Sequence, residues 1–233
     1  MRFHPPLLPG RLLRRYQRFL ADVRLADGST VTAHCPNPGS MMTCLVTEGQ
    51  VWLSRHDKPS RRLKYTWEIA KVGNARVMVH PARANGLVAE AIRLGVIEEL
   101  SGYDTVRPEA IVTPATRFDF ALEKGQKRCY VEVKSATLAI GGGRVAFPDA
   151  KTERGVKHLV ELMAAADRGH RAVLLFCASR SDARQVEPAD AIDPRYGSVL
   201  REAAASGVEV IAYGCRVTTK EIRLVRRVPV VMG

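Results

Sequence analysis

No apolar run in the 233 residues approaches the roughly 18 that a bilayer-spanning helix needs, so no membrane span is expected. The first residues, Met1-Arg-Phe-His-Pro-Pro, hold no long apolar stretch, and no signal peptide is expected. Cysteine is sparse: Cys35, Cys44, Cys129, Cys177 and Cys215 are odd in number and show no paired spacing. That excludes a disulfide framework and a zinc ribbon, and a reducing, cytoplasmic setting is expected. Internal repeats, low-complexity segments and a glycine-rich phosphate loop are also missing. Acidic side chains are the last shortage. There are 24 Asp and Glu against 36 Lys and Arg, a formal charge of +12. Such a balance favours an anionic partner, with nucleic acid ahead of a membrane surface. The excess is uneven, since residues 1–80 carry 13 basic and 5 acidic side chains.

The N-terminal part, residues 1–80, reads as about five short strands separated by turns. Phe19–Leu25 alternates, Asp27-Gly28 turns, and Ser29–His34 follows. Gln50–Ser54, Leu63–Ile69 and Ala75–Val79 complete the set. That count suggests a small barrel, with the OB-fold as the natural candidate. OB-folds bind single strands through basic grooves and aromatic platforms. Arg14, Arg15, Arg18, Arg61, Arg62 and Lys64 are the candidate nucleic-acid contacts, with Tyr16, Tyr65 and Trp67 as candidate platforms. Alternation puts Tyr65 and Trp67 on one face, which equally fits a barrel core. Between strands lies Cys35-Pro-Asn-Pro-Gly-Ser-Met41, an unusually rigid connector.

Residues 81–233 change to mixed helix and strand. A helix is expected over Asn85–Leu94, with Leu87, Ala91 and Leu94 towards the core and Glu90 at its edge. Two strands follow around Arg117–Ala121 and Tyr130–Ser135, joined by a turn at Lys124–Lys127. Strict alternation places Phe118 and Phe120 on one face and Asp119 on the other. It also puts Glu132 and Lys134 together. A hairpin would bring Asp119, Glu132 and Lys134 towards one spot. Two carboxylates suit a hard divalent cation, Mg2+ or Mn2+, and a neighbouring lysine can offset phosphate charge. The Asp…Glu-x-Lys pattern resembles the PD-(D/E)xK nuclease-like superfamily. Taken alone it also fits a solvated charge pair.

A second helix starts near Pro148 and Asp149, capped by Asp149 or Thr152, with Val156, Leu159, Val160 and Met163 as its apolar stripe. Its Lys157 and His158 are placed to meet a phosphate. The order continues with a fully apolar strand at Arg171–Ala178, a helix near Arg195–Ala205 and a strand at Val208–Tyr213. The whole reads as a mixed α/β sheet flanked by helices.

Arg15-Tyr-Gln-Arg-Phe-Leu-Ala-Asp-Val23, His34–Met41, Tyr65-Thr-Trp-Glu68, Tyr130-Val-Glu-Val-Lys134 and the Phe147–Leu159 string resemble the sugar fermentation stimulation protein A (SfsA) family. The resemblance covers nearly the whole chain. It implies an OB-like domain followed by a PD-(D/E)xK nuclease-like domain. It also implies DNA binding, and a link to regulation of maltose metabolism. It makes Asp119 and Glu132 metal ligands and Lys134 the catalytic lysine, with Glu90 as the first-helix acid. Lys157 and His158 match the Lys-His of the second helix. The chain departs at Pro38, where threonine is usual, and at Ala136, where valine is common. DNA is the expected partner. RNA, strand preference and a homodimer stay open, as does a DNA-binding regulator without catalysis.

Overall fold

The computed structural model describes residues 1–113 and 116–233. The chain first forms β1 (Leu8–Tyr16), β2 (Leu20–Leu25), β3 (Thr30–His34), β4 (Gln50–Arg55), β5 (Tyr65–Val72) and β6 (Ala75–Met78). Their order is β3-β2-β1-β4-β5-β6, and β3 also pairs with β5. The extra pairing closes a five-stranded, OB-like barrel, with β6 appended. Strand β1 was not expected, because Arg11–Arg18 reads as a basic stretch rather than an alternating one. The ladder with β2 shifts register between Leu12 and Arg14, so the basic half of β1 stays paired while its alternation is broken. Leu12, Val23, Ala33, Leu53, Trp67 and Val77 fill the barrel. Trp67 is fully buried and donates from Nε1 to the Ile69 carbonyl, so it is core rather than a stacking platform.

The second half contains α1 (Arg83–Arg93), β7 (Thr105–Thr113), β8 (Thr116–Lys124), β9 (Lys127–Ala136), β10 (Leu138–Gly141), β11 (Arg144–Phe147), α2 (Glu153–Asp167), β12 (Arg171–Ala178), β13 (Gln185–Pro188), α3 (Pro194–Ala205), β14 (Glu209–Val217) and β15 (Ile222–Val228). A mixed six-stranded sheet runs β15-β14-β12-β9-β8-β7, parallel across β9, β12 and β14. Buried on both faces, β12 is apolar from Ala172 to Ala178. One face packs on α1, and the barrel's Trp52, Ile69 and Met78 join that same core. The other face packs on α2 and α3. A small sheet, β10-β11-β13, lies beside them.

The two halves share backbone hydrogen bonds. Met78 N–H donates to the Ser179 carbonyl at 2.9 Å, and Ser181 N–H donates to Arg76 at 3.0 Å. Between these bonds Arg180, 3% exposed, forks onto Asp182 and reaches the Thr137 carbonyl. A buried guanidinium is tolerated only when paired in this way.

Some sequence expectations need correction. Leu94 caps α1 at its C-terminal end and is exposed, while Ala84, Leu87, Val88, Ala91 and Ile92 make the buried face. Val160 is half exposed, and the α2 stripe is Val156, Leu159, Leu162 and Ala165. Phe118 and Phe120 do not share a core. Phe118 meets Tyr130 on the α2 side, and Phe120 sits in the α1 core. The strand is irregular at the intervening Asp119. Opposite it on β7, Glu109 has a φ of +51°, and the Asp119 carboxylate takes up the N–H of Val133.

Candidate metal centre

Asp119 stands where the hairpin ladder of β8 and β9 gives way. The pairing runs from the turn up to Phe120↔Val131. Beyond it Asp119 Oδ2 accepts from Val133 N–H at 2.8 Å, and Oδ1 accepts from Asn85 Nδ2 at 2.6 Å. One residue of β8 is thus tied to both β9 and the first turn of α1. Burial pushes the Asp119 carboxyl above its ordinary value, and the Glu132 charge pushes the same way.

Glu132 is 3% exposed on β9. Lys134 Nζ donates to its Oε1 at 2.7 Å. His158, from α2, meets the same oxygen through Nδ1. On the far side of the ring Arg154 Nε lies 3.3 Å from His158 Nε2, so the imidazole is held between α2 and Glu132. Burial alone would raise the Glu132 carboxyl. The hydrogen bond from His158 and the charge of Lys134 outweigh it and hold it below its ordinary value. The two acids therefore differ: Glu132 is held ionised by its lysine and histidine partners, and Asp119 faces that like charge.

These groups line a cleft of about 680 Å³ between barrel and sheet. Arg18, Asn37, Pro38 and Gly39 close it on the barrel side, and Asn85, Asp149, Lys151 and Arg154 on the other. Thr152 is the cap of α2, its Oγ1 accepting from Gly155 N–H at 3.0 Å. Asp149 has a different task. Its carboxylate accepts from Met41 N–H at 3.0 Å, and its carbonyl accepts from Ser40 Oγ at 2.6 Å. This clamps the 36–41 loop onto the start of α2. A Cβ on Gly39 would lie 2.2 Å from Asp149 Oδ1, so only glycine admits that approach.

The structure brings Asp119, Glu132, Lys134, His158 and Arg18 together. Glu90 is elsewhere: it receives the Met1 amino group at 2.5 Å and lies beside Arg223 and Leu224. Asn85 takes the α1 position at the site. Lys157 is exposed and pairs with Glu161 at 3.6 Å, away from the residues that line the cleft, and Glu153 meets Arg195. Arg15 spends its guanidinium on backbone carbonyls of Asn37, Gly39, Ser40 and Arg18. Arg14 bonds Asp22 and lies over the Tyr16 ring, and Arg61 bonds Thr66. Arg62 and Lys64 are exposed on the β4–β5 connection, outside the residues that line the cleft. Asn85, Asp149 and Arg154 were not expected at the site. The only signal for Asp149 was its place at a helix start, which reads as a cap.

Among the described residues no cluster of three or more His, Cys, Asp or Glu forms a metal cage. A pair of carboxylates in an open cleft instead fits a hard divalent cation that keeps water or phosphate oxygens as its other ligands. It does not fit a structural zinc site. The unbalanced charge of Asp119 against Glu132 is what such a cation would offset.

Known proteins agree with this architecture. Residues 13–79 match the SfsA N-terminal OB domain, and residues 82–221 match the sugar fermentation stimulation protein RE domain. A sugar fermentation stimulation protein homolog from Geobacter metallireducens is 51% identical over 233 residues, covering 100% of both chains. One from Pseudomonas fluorescens is 50% identical over 236 residues with the same coverage. The structure of Pyrococcus furiosus SfsA in complex with Ca2+ superposes with a TM-score of 0.88 at 26% identity, covering 99% of this chain and 98% of that one. The chain belongs to the sugar fermentation stimulation protein family.

Proposed function

We propose that this chain binds DNA and cleaves its phosphodiester bonds with Mg2+ or Mn2+ held by Asp119 and Glu132. The observation that carries the reading is the Glu132–Lys134–His158 unit facing Asp119 in a cleft whose walls supply Arg18, Lys151 and Arg154. The Pyrococcus furiosus relative was solved with Ca2+, which supports a divalent cation on this fold. When bound, such a cation supplies activation of water and neutralisation of charge developing on a phosphoryl group. The chain's own residues do the rest. Arg18 and Arg154 hold phosphate oxygens, aided by the N-terminus of α2, whose first turn opens on the cleft. Lys134 places a positive charge beside the reacting phosphate. His158 fixes the orientation of Glu132, and Asn85 and Val133 N–H fix that of Asp119.

The test is incubation of labelled single- and double-stranded DNA with the purified chain and Mg2+ or Mn2+, beside Glu132→Ala. Cleavage by the wild type that chelator and Glu132→Ala both abolish supports the reading. Cleavage that is absent, or equal in the variant, overturns it.

A second reading rests on the charge concentrated in residues 1–80. On it the chain is a DNA-binding regulator of sugar catabolism without catalysis. It requires binding that weakens with salt and ignores chelator.

A further inference from the structure

The turn between β1 and β2 is built at some cost. Gln17 and Arg18 are consecutive non-glycine residues with φ of +46° and +61°. Side chains rarely accept that region, and such strain persists only where the surroundings enforce it. Here they do. Arg15 Nε donates to the Arg18 carbonyl at 2.8 Å. The same guanidinium holds the carbonyls of Asn37, Gly39 and Ser40 at 2.8 to 3.1 Å. Cys35 N–H donates to the Phe19 carbonyl at 2.8 Å. The tip is thus anchored at one end to the 36–41 loop, part of which walls the cleft, and at the other to Cys35 just before it. Its conformation presents Arg18 to the cleft and leaves the next side chain, Phe19, 43% exposed. An aromatic ring held in water beside an arginine that lines the cleft is what a base-stacking contact requires, and the other aromatic candidates fail: Trp67 is buried, Tyr65 is half-buried against the barrel core, and Tyr16 is covered by Arg14.

We propose that Phe19 stacks on a nucleobase of the strand whose phosphate Arg18 holds, so that the cleft selects DNA with unpaired bases over intact duplex. A paired base hides both faces in its stack, whereas an unpaired one offers a face to the ring. The inference rests on the DNA-binding reading above and adds to it the class of substrate.

The test is fluorescence anisotropy with a labelled single strand, its duplex and an RNA strand of the same sequence, for wild type, Phe19→Ala, Phe19→Leu and Phe19→Trp. Phe19→Ala is expected to weaken single-strand binding by about 5- to 100-fold and duplex binding by less than about twofold. Phe19→Trp should restore affinity while Phe19→Leu does not. The new indole should be quenched on binding, a signal that the buried Trp52 and Trp67 do not supply. RNA bound as well as the matched DNA strand leaves stacking intact but removes the assignment to DNA, which overturns that part of the proposal. If Phe19→Ala binds the single strand as wild type does, or loses both DNA forms equally, the inference falls and the DNA-binding reading stands. If the wild type binds no nucleic acid, both fall.

Discussion

Lys134 Nζ and His158 Nδ1 stand 2.9 Å apart, both turned to the same oxygen of Glu132. A strand lysine and a helix histidine thus hold one carboxylate between them. Removing either partner leaves a buried charge less compensated. Lys134→Ala is expected to lower DNA cleavage by at least about 100-fold, because it removes charge stabilisation at the reacting phosphate. His158→Ala should cost less, since it acts through Glu132. Single-turnover cleavage rates under saturating Mn2+ measure both, and a Lys134→Ala rate within tenfold of wild type would sink the role given to Lys134.

Cation binding should depend on pH through Asp119. Its carboxyl is held above its ordinary value, so protons compete with the cation at higher pH than they would for an ordinary carboxylate near about 3.9. Glu132, held below its ordinary value, stays ionised until the pH is lower still. Affinity for Ca2+ or Mn2+ is therefore expected to fall as pH drops through the raised Asp119 pKa, with close to one proton taken up per cation lost. Calorimetric titrations at several pH values check this, and a flat profile would remove Asp119 as a ligand.

Asp119→Asn should separate stability from cation binding. A carboxyl raised in the folded state contributes stability that is full below its unfolded pKa and lost as pH rises through the folded one. At neutral pH the ionised Asp119 therefore works against folding. Asparagine keeps an acceptor for Val133 N–H and removes the repulsion from Glu132. The variant without cation is expected to be more stable at pH 7, with a higher melting temperature than wild type. Below the unfolded pKa the gain should vanish. Added Mn2+ should stabilise wild type but not the variant.

Gly39→Ala tests the joint between barrel and α2. The new Cβ meets the Asp149 carboxylate head on, so either the 36–41 loop or Asp149 must move, and the Met41 N–H loses its partner. A destabilisation of about 1–3 kcal/mol is expected in chemical denaturation. Asp149→Ala combined with Gly39→Ala should recover part of it, since the clash is then gone. A double variant no more stable than Gly39→Ala would show that the glycine matters for another reason.

Arg15→Ala is expected to cost about 2 kcal/mol, because one guanidinium closes four backbone carbonyls from two loops. Arg15→Lys should recover little, since an ammonium cannot span that fork. By contrast Arg14→Ala, at an exposed pair with Asp22, should change stability far less than Arg15→Ala does. Urea denaturation of the three variants gives the comparison.

The local chemistry of this protein was legible in its sequence. Short turn-bounded runs marked β2 to β6 but not β1, and Glu132 and Lys134 two residues apart on an apolar strand do share a face. The motif strings pointed to the family that the relatives show. What the sequence hid were relations that depend on how elements meet. At about 100° per residue, Glu90 lies some 140° around α1 from Asn85, and only the docking of that helix decides which of them faces Asp119. The same holds for α2, where His158 enters the cleft and its neighbour Lys157 turns to solvent. Arg15 looked like one more phosphate contact until folding brought four carbonyls to it. Phe118 and Phe120 were assigned to one face by a period of two, and one irregular residue between them overturned it. Periodicity describes a segment about its own axis. The rotation of that axis, and which backbone groups are left wanting partners, are settled only when barrel, sheet and helices close on one another.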